Sequence, residues 1–187
     1  MPVITFANYL YSFTQGPYYR FLGRHTRRFC GRAVEKAGGE PAKKLLMVAA
    51  AGADDFLAPV LGVDRRDKKV APAKSPKAIE VTAAMKVYLS ALLVTLGEYK
   101  AQIMEKTGLE ERLLLQKWCL VFEYQPEDMR RFDQELVPAY QHGGIDGLAA
   151  TACAIITPPP GRPGPAPDAM KQALVTDIAA IHRILEM

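Results

Sequence analysis

Apolar residues recur at helical intervals along most of this 187-residue chain. The longest such stretch covers about residues 76–106 and follows Ser75-Pro76, a hydroxyl N-cap and a proline suited to the first helical position. Its apolar side chains alternate at spacings of four and three residues, which is typical of a helical-bundle seam. They are Met85, Leu89, Leu92, Leu96, Tyr99 and Ile103. We expect this helix to form the central strut of the core.

Turn and capping residues predict further helices on either side of this strut. Gly38-Gly39 should end a helix that begins near residue 17, and the next helix starts at Glu40-Pro41. The sequence Thr107-Gly108-Leu109-Glu110 matches the capping box S/T-x-x-E. It predicts that the chain turns there into an antiparallel helix, which runs to about residue 124.

Proline and glycine interrupt the helical pattern further along the chain. A helix that begins at Pro126 should be kinked by Pro138 and end at His142-Gly143-Gly144, before a short buried helix over 144–156. No alternation of apolar and polar residues is long enough to require a sheet, and a few short strands near the N-terminus are the alternative. The predicted fold class is therefore an all-α, bundle-like helical domain around the helix 76–106.

The C-terminal end of the chain is predicted to be a helix joined to the rest by an extended tether. Residues 157–167 (TPPPGRPGPAP) are too rich in proline for a helix, which predicts an extended linker. Asp168 then caps a final amphipathic helix over 169–186. Its apolar stripe is Met170, Leu174, Ile178, Ile181 and Leu185. We thus expect a helical domain, 1–156, the linker, and a C-terminal helix, 168–187, docked on the domain or on a partner.

Charge is distributed unevenly in the N-terminal segment. Glu35 is the first acidic residue, and five arginines come before it. At 100° per residue they fall on one face of a helix, with apolar side chains on the opposite face. These arginines are Arg20, Arg24, Arg27, Arg28 and Arg32. Because a guanidinium binds phosphate or carboxylate with two parallel hydrogen bonds, this arginine face predicts an anionic partner.

The charge of the rest of the chain leaves the identity of that partner open. Residues 1–77 carry 14 Lys/Arg and 6 Asp/Glu, a net charge of +8, whereas residues 78–187 carry 10 and 14, a net charge of −4. The alternatives are the acidic half of the same chain, a second subunit, nucleic acid or another polyanion, and an anionic membrane surface.

No sequence motif specifies catalysis, a cofactor or a metal. The three histidines, His25, His142 and His182, are far apart in sequence, and HExxH, P-loop and G-x-S-x-G patterns are lacking. We therefore predict no catalytic residues, no metal and no cofactor. Three separated cysteines without a CxxC pair fit a reducing, cytoplasmic setting. The longest uncharged helical run, 87–97, is too short to span a membrane.

These observations favour a non-enzymatic helical binding or adaptor protein. We expect it to self-associate, as a homo-oligomer or with another protein, and to direct its arginine face at an anionic partner or an acidic subunit surface. The alternative is a nucleic-acid- or phosphate-binding protein that uses the same face. A third hypothesis is an enzyme whose site is assembled from residues scattered along the sequence.

Overall fold

The computed structural model describes residues 35–36, 38–49, 52–53, 56–57, 59–60, 76–110, 113–114, 126–158 and 160–187. Of this described part, 87% is helical and none is β-strand. The predicted all-α fold class is therefore confirmed.

Helices follow one another closely along the described chain. They are α1 (residues 38–49), α2 (Pro76–Thr95), α3 (Lys100–Thr107), α4 (Pro126–Arg131), α5 (Val137–Ile155) and α6 (Pro167–Glu186). A 3₁₀ turn, Leu96–Tyr99, joins α2 to α3. A π-helical segment, Phe132–Leu136, joins α4 to α5. Two long helical rods, 76–107 and 126–155, thus carry most of the described structure.

Helix α2 runs through the middle of the core. Every residue from Val87 to Leu96 is buried, which means that this part of the helix is enclosed on all sides and not only along one seam. Two hydroxyls are buried with it: Ser90 Oγ donates to the carbonyl oxygen of Lys86 at 2.7 Å, and Thr95 Oγ1 donates to that of Leu92 at 2.6 Å. Because each hydroxyl has a partner within its own helix, its burial leaves no hydrogen-bonding group unsatisfied.

The rod 76–107 differs from the single helix predicted over 76–106. The helix begins at Pro76, as predicted, but its winding tightens to 3₁₀ at Leu96–Tyr99 before the α-helix resumes. Gly97 lies in this turn with open space around it, and glycine lowers the cost of leaving α-helical geometry.

The helix end predicted at Thr107 is confirmed, and a helical hydrogen bond from Leu114 N to the carbonyl oxygen of Glu110 follows at 2.9 Å, but Thr107 does not have the N-cap role of a capping box. Thr107 is the last residue of α3, and its Oγ1 accepts a hydrogen bond from Leu109 N at 3.1 Å while it donates to the carbonyl oxygen of Ile103 at 2.6 Å. Gly108 follows with φ 67°, and its N–H donates to the carbonyl oxygen of Met104 at 2.7 Å. A glycine in the left-handed region ends a helix in this way, so the threonine hydroxyl serves the end of α3 and not the start of the next helix.

The rod 126–155 is interrupted twice. Pro138 has no N–H to donate to the carbonyl of Gln134, which lies within the π-helical segment Phe132–Leu136. The second break is Gly144, with φ 57° and ψ −151°. The predicted irregularities at Pro138 and Gly144 are therefore both present, although the first is a π segment just before the proline.

Helix α6 packs against α2, α3 and α5. Its buried residues are Met170, Leu174, Asp177, Ile181 and Leu185. The predicted stripe placed Ile178 where the structure buries Asp177, and Ile178 is only half-buried. The helix also begins at Pro167, so Asp168 lies in its first turn and is not the N-cap. The fixed φ of proline suits the first helical position, which moves the start of the helix forward.

Candidate functional site

The arginine face predicted from the sequence, Arg20–Arg32, lies outside the described residues. The structure does describe the first two acidic residues that follow it. Lys43 Nζ lies 3.1 Å from Glu35 Oε2 and 3.3 Å from Glu40 Oε2. Hydrogen bonds to Glu35 and Glu40 raise the pKa of Lys43. The acids nearest to the arginines in sequence thus share a lysine of helix α1.

The most buried polar contact between described side chains joins α2 to α6. Tyr88 OH donates to Asp177 Oδ2 at 2.8 Å. Tyr88 is fully buried and Asp177 is only 6% exposed. A carboxylate at such a position needs hydrogen-bond donors, because its transfer from water to an apolar core is otherwise costly.

A third part of the chain closes around this contact. The Phe56 ring stacks on that of Tyr88, with ring centroids 5.6 Å apart and an interplanar angle of 29°. Gly52 lies so close to Asp177 that a Cβ at this position would overlap the carboxylate. A glycine at position 52 therefore makes room for the aspartate, so Gly52 lies against α6 while Phe56 packs on α2.

A second polar group lies where α2 meets the start of α4. Lys86 Nζ donates to Asp128 Oδ2 at 3.0 Å, and each side chain is 13% exposed. These residues line a shallow cleft beside the π-helical segment, together with Ser90 and Arg131. The enclosed space is about 10 Å³, which is room for roughly one water molecule and not for a small-molecule ligand.

Aromatic and acidic side chains of three elements meet near the 3₁₀ turn. Tyr140 OH donates to Glu98 Oε1 at 3.2 Å, and burial together with the Glu98 charge raises the pKa of Tyr140. The ring of Tyr99 lies 4.9 Å from that of His182, whose Nε2 is 3.3 Å from Glu186 Oε1. These contacts hold the C-terminal end of α6 against the turn.

The described histidines and cysteine sit in separate settings. His142 Nδ1 is 2.7 Å from the carbonyl oxygen of Pro138, whereas the His182 ring is tilted by 47° against that of Tyr99. Cys153 is a buried free thiol whose burial raises its pKa from 9.0 to about 11. Over the described ranges, no group of three or more His, Cys, Asp or Glu side chains is placed to hold a metal ion. In the same part of the chain, no helix combines the length and apolar character that crossing a membrane would need.

No similarity to known proteins assigns this chain to a family. No protein-family model, curated protein or solved structure matches the chain.

Sequence reasoning missed the two interhelical polar contacts. A signal for one of them was present, because Asp177 follows Leu174 by three residues and precedes Ile181 by four, which is a core-facing position of the stripe. Its partner could not be found in the same way. Tyr88 lies 89 positions away, and helical periodicity gives no information about which helix packs on which.

Proposed function

We propose that this chain is a non-enzymatic helical binding protein that uses its arginine face, Arg20–Arg32, to bind an anionic partner. The observation that carries the proposal is the pairing of Lys43 with both Glu35 and Glu40. Five arginines precede the first acid, and the first two acids are shared by a lysine of the adjacent helix. The arginine segment thus keeps a strong positive charge that favours an anionic surface elsewhere.

Ion pairs in the acidic half support the same view. Arg130 and Arg131 both lie 3.3 Å from Glu127 Oε1, and Lys171 lies 2.6 Å from Asp146 Oδ1. These acids have basic partners within their own part of the chain, which lowers their value as counter-ions for the arginine face. An external polyanion or a second subunit is then the better partner.

Salt dependence of binding is the direct test. If five guanidiniums contact phosphates, binding of an oligonucleotide or heparin probe should fall about five-hundredfold between 50 and 200 mM salt. The double change Arg24→Gln and Arg27→Gln should lower the slope of log affinity against log salt by about two. The matched control is Lys36→Gln with Lys44→Gln, which removes the same charge from two exposed lysines of the neighbouring segment.

The outcomes separate the alternatives. Equal loss of affinity in both double variants would mean that net charge alone attracts the probe, and it would overturn the arginine face as a site. A probe that fails to bind at low salt, together with destabilisation by the arginine changes, would place those arginines against the chain's own acids. A lower mass by light scattering in the arginine variant alone would identify a second subunit as the partner.

We also propose self-association in the cytoplasm, as expected from the sequence. Several large apolar side chains of the described part are more than 40% exposed, and they offer contact area for another protein chain. They are Met47, Met104, Leu113, Val175 and Met187. Light scattering of the wild-type chain over a range of concentrations tests this, and a monomer mass throughout would refute it. The buried free thiol of Cys153 is compatible with a reducing compartment.

A further inference from the structure

Helix α6 is held on the body by an apolar stripe that contains one acidic residue. Four of its five buried side chains are apolar, and the fifth is Asp177. The tether before it contributes little contact, because residues 160–164 are exposed, although Pro165 is buried. Arg162 Nη1 donates to the carbonyl oxygen of Pro59 at 3.2 Å from an exposed position. The stripe and Asp177 therefore determine how α6 sits.

An apolar stripe alone defines the position of a helix weakly. A slip of α6 by one turn would bring Ala173 or Ile181 to the place of Asp177, and apolar side chains would still face the core. The same slip would move the carboxylate from the Tyr88 hydroxyl to apolar surroundings, at a large desolvation cost. A single buried polar group is known to specify register in helical assemblies in this way.

We propose that the Tyr88–Asp177 hydrogen bond, seated against Gly52, is a latch that sets the register of α6 on the body and governs its release on the proline tether. Three separate parts of the chain meet at this point: Gly52 with Phe56, helix α2 and helix α6. When α6 occupies its correct register, the tyrosine hydroxyl and the space left by glycine both match the carboxylate. Release of α6 separates the donor from the acceptor and uncovers the apolar surface of the body on which α6 packs.

Release of α6 is measured by limited trypsin digestion followed by mass spectrometry. Lys171 and Arg183 lie on α6, while Lys86 lies on α2 and reports opening of the body. Cleavage of a transiently open state follows its population, and loss of one hydrogen bond to a buried carboxylate corresponds to about a tenfold increase. Tyr88→Phe should therefore raise the cleavage rate after Lys171 about tenfold and leave cleavage after Lys86 slow.

A matched control separates the latch from the charge of the helix. Asp168→Asn removes an exposed acid from the first turn of the same helix, and it should leave cleavage after Lys171 at the wild-type rate. Cleavage that rises equally in Tyr88→Phe and Asp168→Asn, or in neither, overturns the proposal.

Register is tested by a second experiment. The Tyr99 ring lies close enough to His182 to shift the NMR resonances of its imidazole protons by ring current, and Tyr99→Leu should remove that shift. In the double variant Tyr88→Phe with Asp177→Leu, the stripe becomes wholly apolar, so α6 should stay docked but lose its unique position. We expect the His182 resonances to broaden or double, and a single resonance at the wild-type shift overturns the role in register.

Gly52 gives an independent variant that keeps both latch residues. Gly52→Ala places a Cβ against the Asp177 carboxylate, whereas Gly97→Ala adds one where no atom lies within 4 Å. Cleavage after Lys171 should rise at least tenfold in the first variant and stay at the wild-type rate in the second. Equal, unchanged rates in both variants would overturn the latch even if the double variant failed to fold.

Discussion

Lys86 of helix α2 donates a hydrogen bond of 3.0 Å to Asp128 at the start of α4, and each side chain is only 13% exposed. This contact ties the central helix to the second long rod about one turn before the π-helical segment begins. The ordinary ion pair Arg130–Glu127 lies on the same rod, but its side chains are 51% and 59% exposed. Both pairs join a basic side chain to a carboxylate, and they differ mainly in burial.

Burial predicts unequal costs for breaking these pairs. Lys86→Met or Asp128→Asn should each lower the free energy of unfolding by about 2 kcal/mol, because each leaves a partly desolvated group without this partner. Arg130→Met should cost less than about 0.5 kcal/mol, since water replaces an exposed ion pair. Urea denaturation of the three variants measures the difference. Similar costs for the buried and exposed pairs would contradict it.

Tyr140 gives a prediction for alkaline pH. Its pKa is raised above 10.0, chiefly by burial and then by the Glu98 charge, so the folded protein holds the phenolic proton more tightly than the unfolded chain. This contribution to stability is complete below pH 10 and is lost as the pH rises through the folded-state pKa. Above pH 10 the unfolding free energy of the wild type should therefore fall more steeply than that of Tyr140→Phe. Parallel profiles from denaturant titrations across this range would refute the assignment.

Local sequence signals predicted the helices well because capping and helix-breaking act over a few residues. Pro76 begins α2, and Gly144 breaks α5, as the sequence predicted. Local signals gave a wrong prediction where one sequence pattern is compatible with two different local structures. Thr107 and Glu110 fit a capping box, but Gly108 was able to end the preceding helix in the left-handed region, and the threonine hydroxyl bonded there instead.

Tertiary partners were out of reach of the sequence for a different reason. Asp177 occupies a core-facing position of its helix, which indicates that this acid is buried. The pattern of one helix cannot reveal that a tyrosine on α2 supplies the donor or that Gly52 leaves the space. The arginine face remains a prediction of the sequence, because its residues lie outside the part of the chain that the structure describes.

Cys153 should be nearly inert as a nucleophile in the folded protein. Burial raises its pKa from 9.0 to about 11, so the thiolate fraction at pH 8 falls roughly a hundredfold. In a Cys30→Ser, Cys119→Ser background, alkylation by iodoacetamide at pH 8 should be at least that much slower than in denaturant. The same shift implies that stability is lost between pH 9 and about 11, as the unfolded chain releases the proton first. Equal alkylation rates with and without denaturant would contradict the burial.

Gly143 and Gly144 are adjacent glycines that should respond to alanine in opposite ways. Gly144 has φ 57° and ψ −151°, a region that is open almost only to glycine, while Gly143 lies in the helix with no atom near a Cβ. Gly144→Ala should therefore lower the unfolding free energy by about 2 kcal/mol. Gly143→Ala should raise it by about 0.5 kcal/mol, because alanine loses less backbone entropy on folding. Urea denaturation at equal m-value measures both, and each variant serves as the control for the other. A stabilising Gly144→Ala would mean that the rod 126–155 runs through this point as a continuous helix, without the break.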